Sequence, residues 1–246
     1  MSSAANSRAL AAVTARQYLL MAAYSADGMQ SLGFAYALLP RLKELYGSDE
    51  EAFASALRRH LEPVNTNPYL GASLVGAVAN LEQAAGAEQA NRIKAAASGP
   101  LAAMGDRFFW VALKPTAAIL GVAAVLSGWT WGFALFLLLY SLPQILIRAA
   151  LVRQGWNKGR PAVSALARLD LPGWAGRVAL AGGAAAALVA VGAAARLEGQ
   201  GALAAMPALV LSGFVLVRRR VAPIVLLYLA AAVCMVVPLL VGRGSP

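Results

Sequence analysis

The chain has one cysteine, Cys234, one histidine, His60, and charged side chains at only 13% of its 246 positions. A single thiol excludes an internal disulfide framework, and Cys234 lies in the apolar run 230–237, where a buried, inert thiol is expected. One histidine cannot build a His-rich metal site, and the sequence carries no H-E-x-x-H, G-x-S-x-G, Walker loop or G-x-G-x-x-G. No metal, no cofactor and no catalysis by the chain alone are therefore expected, since no nucleophile, base and orienting group come together. Acidic residues are nearly missing from the second half: residues 1–107 hold nine Lys or Arg against nine Asp or Glu, whereas residues 108–246 hold twelve against two. The opening Met1-Ser2-Ser3-Ala4-Ala5-Asn6-Ser7-Arg8 lacks a charged leader followed by an apolar core and a cleavage site, so no removable signal peptide is expected.

What the chain has in excess is apolar surface. It is 60% hydrophobic with a mean hydropathy of +0.64, more than a soluble core needs, which points to an integral membrane protein. Runs 131–152, 176–195, 202–217 and 221–241 are near the ~20 residues a spanning helix requires, and 108–127 makes a fifth despite Lys114. The linker 153–174 carries Arg153, Lys158, Arg160 and Arg168 against Asp170 alone, and Arg218-Arg219-Arg220 separates the last two runs. Basic loops stay in the cytoplasm, which places the N-terminal section inside and the turn 128–132, the loop 196–201 and the C-terminus outside. The basic excess flanks apolar runs without interleaved stacking aromatics, so no nucleic-acid partner is expected. The Ala/Gly-rich stretch 179–195 favours close helix packing.

Residues 1–98 read as a cytoplasm-facing section and 99–246 as a transmembrane section, together one integrated membrane domain. Within the first, 18–39 is apolar but interrupted by Asp27, Gly28, Gln30 and Gly33, and 69–81 is apolar yet too short to span. Both read as half-membrane or re-entrant hairpins, tolerated only where protein or a water-filled cavity covers their backbone. Between them, Ser48-Asp49-Glu50-Glu51 is a capping box opening a helix, Phe53, Leu57 and Leu61 recur on one face, and Pro63 ends it. The expected fold is an all-α integral membrane protein of spanning helices plus broken or re-entrant hairpin segments.

The sharpest conflict in the sequence lies at 99–116, where Asp106, Arg107 and Lys114 sit in a stretch otherwise apolar enough to enter a bilayer. An ionisable side chain there costs roughly 2.5–3.5 kcal/mol on insertion scales, so it persists where it meets a partner, a cavity or the membrane surface. Gly99, Pro100, Gly105 and Pro115 each loosen or end regular helix, as in the broken helices around transporter sites. Two readings stand: Asp106 caps a helix starting at Arg107 while Arg107 and Lys114 snorkel to the surface, or the broken segment lines a polar cavity with Asp106 as an acceptor. Asn65-Thr66-Asn67-Pro68-Tyr69 is either a structural turn or the tip of a re-entrant loop whose neutral amides and hydroxyls read carbohydrate hydroxyls. Gln30 is either an interhelical bond or part of the same path. The candidates for a substrate path or subunit interface are Asp27, Gln30, Asn65, Thr66, Asn67, Asp106, Trp110 and Lys114. His60, beside Arg58 and Arg59, reads as a solvated position or a contact, not a catalyst.

The motifs Met29-Gln30-Ser31-Leu32-Gly33-Phe34, Arg58-Arg59-His60-Leu61-Glu62 with Asn65-Thr66-Asn67-Pro68, and Gly99-Pro100-Leu101-Ala102 with Gly105-Asp106, Phe109-Trp110 and Lys114-Pro115 stand in order along the chain. With 218–223 before a final apolar run, they resemble the IID component of mannose/fructose/sorbose-family permeases of the bacterial phosphoenolpyruvate-dependent sugar phosphotransferase system (PTS). The resemblance implies a multi-pass subunit of the bacterial inner membrane. It implies pairing with a related IIC membrane subunit, a trimer of such heterodimers, and a hexose-type sugar phosphorylated by a separate cytoplasmic IIA/IIB phosphocarrier. It also implies no phosphohistidine in the chain itself. Where the family tends to show Trp-Asn-Phe-Glu-Arg before Met-Gln, this chain has Tyr24-Ser25-Ala26-Asp27-Gly28, losing an amide and a guanidinium. The alternative is therefore a transport-inactive relative serving as scaffold or sensor for PTS proteins.

Overall fold

The computed structural model describes residues 3–194. The runs 202–217 and 221–241, the loop 196–201, Arg218-Arg219-Arg220, Cys234 and the C-terminus lie outside the described residues. Within them the chain is helical, with two isolated β-bridges, Ser25 to Met29 and Met29 to Val64. The helices are α1 Ser3–Gln17, α2 Ser31–Tyr46, α3 Glu50–His60, α4 Gly71–Ala84, α5 Gly86–Gly105, a π-helical turn Asp106–Leu113, α6 Lys114–Leu126, α7 Gly132–Lys158, α8 Arg160–Ala167 and α9 Leu171–Ala194. Residues up to Gly183 form one compact unit; the rest, from Ala184, form another, described here only by the last turns of α9.

Helix α4 is the axis of the first unit. Every residue of 71–79 is buried, so this run, too short to span a bilayer, has its backbone covered by protein. Its largest pairing is with α7, where a Cβ on Gly76 would overlap the Val152 carbonyl oxygen and one on Gly155 the Ser73 carbonyl oxygen. Only glycine lets the two backbones meet this closely, the small-residue contact that serves helix packing in membranes. Asn80 Nδ2 donates to the Trp156 carbonyl at 2.8 Å and ties the far end of the same pair.

Helix α3 begins and ends as its sequence dictates, with one change of cap. Asp49, not Ser48, is the N-cap, its side chain accepting from the Ala52 N–H at 2.9 Å. Glu50 and Glu51 fill the first turn and Arg58, Arg59 and His60 the last, which suits both ends of the helix dipole. The inward face is not Phe53, Leu57 and Leu61 but Ala56 and His60, with Phe53 partly buried and Leu61 exposed. The choice follows from a polar partner for His60 across the bundle, which a hydrophobic period does not reveal.

The expected break at 99–116 does not occur. Helix α5 passes through Gly99 and Pro100, opens into the π-helical turn and continues into α6, with the Lys114 N–H bonding the Phe109 carbonyl five residues back. Asp106 consequently caps nothing. A π turn adds one residue per turn without ending the helix, and it finishes just before Pro115, which has no N–H to continue the regular ladder. The resulting stretch Gly86–Leu126 is 41 residues, and with α7, 27 residues, it is one of two among the described residues long and apolar enough to cross a membrane. At 1.5 Å per residue it runs roughly 60 Å, twice a ~30 Å hydrocarbon core. The most apolar windows of the two are only 22% and 17% buried, the reverse of a soluble core helix. Phe133, Leu146 and Val111 face outward, as do Trp129 and Trp131 in the turn between the two stretches. Of the small-residue stretch, Gly182 is buried against Thr116 of α6, while Ala179, Leu180 and Ala181 are exposed.

Candidate functional site

The polar groups that the sequence scatters over eighty residues converge where α4 begins. Gln30, 1% exposed, pairs its side-chain amide with the backbone of Thr66: Nε2 donates to the Thr66 carbonyl at 2.5 Å and Oε1 accepts from its N–H at 3.1 Å. The Met29–Val64 bridge and the Gln30 N–H to the Val64 carbonyl hold this register. Asn67, wholly buried, does three things. Its Oδ1 accepts from the N–H groups of Tyr69 at 3.0 Å and Leu70 at 3.3 Å, satisfying donors at the start of α4, and its Nδ2 donates to Asp106 Oδ1 at 2.9 Å. A Cβ on Gly105 would strike the Asn67 side chain, so glycine just before the π turn allows the turn to close over the amide. Asp106 is only partly buried and keeps an open side.

The other candidates stand apart. Asp27 and Asn65 are exposed, Trp110 is 39% exposed, and Lys114 is exposed at the first residue after the π turn. The structure thus joins Gln30 to Thr66 and Asn67 to Asp106, and does not bring Asp27, Asn65, Trp110 or Lys114 into the same bonds. Thr66 Oγ1, in a residue 2% exposed, has no partner among the described residues.

Sequence reasoning passed over Arg148, Gln17 and Tyr69, which extend the cluster. Arg148, in α7, donates from Nε to Gln17 Oε1 at 3.1 Å and from Nη2 to the Gln17 carbonyl at 2.9 Å, and lies over the ring of Tyr18 at 4.7 Å. Gln17 Nε2 in turn donates to the Pro68 carbonyl at 2.7 Å. Tyr69 meets Phe109 of the π turn edge to face at 4.7 Å and the Tyr140 hydroxyl at 3.3 Å. The signal was present: Arg148 is a lone cation in the apolar run 131–152, the same anomaly that marks Asp106.

A second polar cluster occupies the opposite end of α4. Glu82 accepts from Tyr46 at 2.7 Å, from Arg59 at 3.2 Å and from His60 Nε2 at 3.0 Å. Burial raises its pKa, but hydrogen bonds from His60 and Tyr46 and the charges of His60 and Arg59 outweigh that and hold it at about 2. His60, expected at a solvated position or a contact, is wholly buried. Burial holds its pKa below the ordinary value against the pull of Glu82, and Nδ1 has no hydrogen-bond partner among the described residues. Nearby, Arg41 is 2% exposed, stacks over Trp156 at 4.5 Å, and bonds the Ala79 carbonyl at 3.2 Å, Glu44 at 2.6 Å and Gln83. These groups tie α2, α3 and α4 together electrostatically, with His60 Nδ1, Arg59 Nε and Glu44 Oε1 left without a hydrogen-bond partner among the described residues.

The first cluster is thus an array of neutral amides with one carboxylate and one partly buried guanidinium, suited to hydrogen-bonding hydroxyls rather than to bond-breaking. Residues 5–173 match the family model for the PTS system mannose/fructose/sorbose family IID component. The chain belongs to the mannose/fructose/sorbose family of PTS IID components. Among IID relatives, the mannose-specific EIID component of Escherichia coli K12 is 37% identical over 150 residues, 58% of this chain and 53% of that protein. The fructose permease IID component of Bacillus subtilis is 31% identical over 162 residues, 62% and 57% of the two chains, and the sorbose-specific EIID component of Klebsiella pneumoniae is 32% identical over 155, 61% and 56%. The chain spans about half the length of the curated relatives it matches. Two solved structures share its fold at 25% identity over 93% of this chain: a membrane protein, TM-score 0.70 over 95% of its length, and a chain of the cryo-EM complex of mannose transporter ManYZ with microcin E492, TM-score 0.59 over 94%. The fold is therefore that of an all-α integral membrane protein of the IID family.

Proposed function

We propose that the chain is the IID subunit of a PTS sugar permease and forms, with a IIC subunit, the translocation path for a hexose-type sugar. Phosphoryl transfer falls to a separate cytoplasmic IIA/IIB unit, and the chain contributes no catalytic group. The observation that carries this reading is the Asn67–Asp106 bond, which joins the buried start of α4 to a π turn in a helix long and apolar enough to cross a bilayer. π turns concentrate at functional sites, and a partly open carboxylate beside amides and a hydroxyl without a partner suits a polyhydroxylated ligand. On this reading Asp106, Asn67, Thr66 and Gln30 belong to the sugar path or its IIC-facing wall. Asp27, Asn65, Trp110 and Lys114, exposed in the lone chain, face the IIC subunit or the membrane boundary. The chain lies in the bacterial inner membrane with its N-terminus in the cytoplasm and C-terminus outside, in a trimer of IIC–IID heterodimers.

The test is radiolabelled hexose uptake in cells stripped of their own mannose-family permeases and supplied with IIC and IIA/IIB, with and without this chain. Uptake that depends on the chain, and that falls at least tenfold with Asp106→Asn while membrane assembly persists, is expected. Uptake indifferent to the chain's presence refutes transport and leaves the scaffold reading.

A further inference from the structure

On the outer face of α5 and α8, two recesses run into one another. One, about 320 Å³, is lined by Leu81, Gln89, Arg92, Ile93, Ala96 and Arg160. The other, about 200 Å³, shares Ile93, Ala96 and Arg160 and continues along Pro100, Leu101, Met104 and Val163. The combined slot is cationic at one end and apolar at the other. Arg160 has no hydrogen bond or ion pair among the described residues, and Arg92 is held only by the exposed Glu88, at 2.5 Å. From Arg92 to Met104 is twelve residues of helix, ~18 Å along the axis, close to one leaflet of a bilayer ~40 Å thick between headgroup layers. The apolar end leads straight into the π turn and α6, the part of the stretch with the outward Val111, Leu120 and Val122.

We propose that this slot holds one anionic glycerophospholipid, its phosphate between Arg92 and Arg160 and an acyl chain along Met104 and Val163. Charge complementarity selects the headgroup, because Arg92 and Arg160 both line the polar end and the ion pair of Arg92 is with the exposed Glu88, and a phosphate accepts their planar forks better than a carboxylate on a mobile side chain does. The apolar trough selects a lipid over a soluble anion, since a free phosphate leaves Ala96, Pro100 and Met104 uncovered. Lipid bound here bridges α5 to α8, and so fixes the basic linker after α7 against the helix that carries Asp106.

Native mass spectrometry of the full chain, purified in mild detergent and titrated with dioleoyl phosphatidylglycerol or dioleoyl phosphatidylcholine, tests the assignment. Phosphatidylglycerol is expected to be retained at about tenfold lower concentration, and Arg92→Gln and Arg160→Gln each to weaken it about fivefold without changing phosphatidylcholine. Met104→Trp, which fills the trough, is expected to weaken both lipids. Equal retention of the two lipids, insensitivity to both arginine changes, or full competition by water-soluble glycerophosphoglycerol overturns the proposal. Arginine variants that keep phosphatidylglycerol but lose a cytoplasmic phosphocarrier reassign the face to a protein. None of these readouts uses sugar uptake, so they stand or fall apart from the transport reading.

Discussion

Replacing Asn67 by alanine tests the physical core of the site. The substitution removes the bond to Asp106 Oδ1 at 2.9 Å and the two backbone bonds, at 3.0 and 3.3 Å, that satisfy the start of α4. A hydrogen bond to an ionised group contributes about 1.5–3 kcal/mol and a helix-start cap about 1 kcal/mol, whereas a neutral interhelical bond in a membrane protein averages only about 0.6 kcal/mol. If Asp106 is ionised, Asn67→Ala therefore costs about 2.5–4 kcal/mol; if the contact is an ordinary neutral one, less than about 2 kcal/mol. For a chain of this size about 1 kcal/mol moves a melting temperature by about 2–4 °C, so the ionised case lowers it by about 5–15 °C. Asp106→Asn keeps the cap and loses only the charge assistance, about 1 kcal/mol. The assay is thermal unfolding of the detergent-purified chain, followed by loss of monodispersity, for the two single alanine variants and the double. A coupling of about 1–2 kcal/mol between Asn67→Ala and Asp106→Ala is expected. Additive effects, with coupling below about 0.3 kcal/mol, refute the claim that the π turn is fastened through this pair.

Three further outcomes follow from other parts of the chain. Stability falls on acidification: the folded pKa of His60 lies below its ordinary 6.5 and that of Glu82, about 2, below its ordinary 4.5, so the unfolded chain binds protons first in both windows. The His60 contribution is lost as pH drops below about 6.5 and that of Glu82 as it drops from about 4.5 toward 2, and His60→Gln flattens the upper part of a melting-temperature profile; stability that rises on acidification contradicts the buried pair. Gly155→Ala forces α4 and α7 apart and costs about 1–3 kcal/mol, read as loss of detergent-stable protein, while Gly99→Ala, whose added Cβ meets nothing within 4 Å, is tolerated. In a Cys234→Ser background, Trp129→Cys is labelled by a membrane-impermeant maleimide from outside the cell and Lys158→Cys only after lysis; the reverse pattern overturns the orientation read from the basic linker.

Local chemistry made some of this arrangement legible before any coordinates. The first and last turns of α3 announce themselves by charge, and the sequence Asn65-Thr66-Asn67-Pro68 marks the turn into α4, although which of its side chains points inward does not follow from a turn signal: Asn65 is exposed and Asn67 buried. What local chemistry hides is partnership across sequence distance. His60 finds Glu82 twenty-two residues on, and Arg148 finds Gln17 at a separation of 131, so the desolvation each suffers is offset by groups that no window of the sequence contains together. The helix breakers mislead for the same reason. Pro40, Pro100 and Pro143 all lie inside helices, because packing on both sides outweighs a single lost backbone bond. At Gly105 and Asp106 the expected break becomes a π turn, since widening the helix keeps nearly every backbone group bonded while still delivering the carboxylate to Asn67. The anomaly of a charge in an apolar run thus leads to the Asn67–Asp106 contact, and the physics of an unsatisfied backbone decides the form of the helix there.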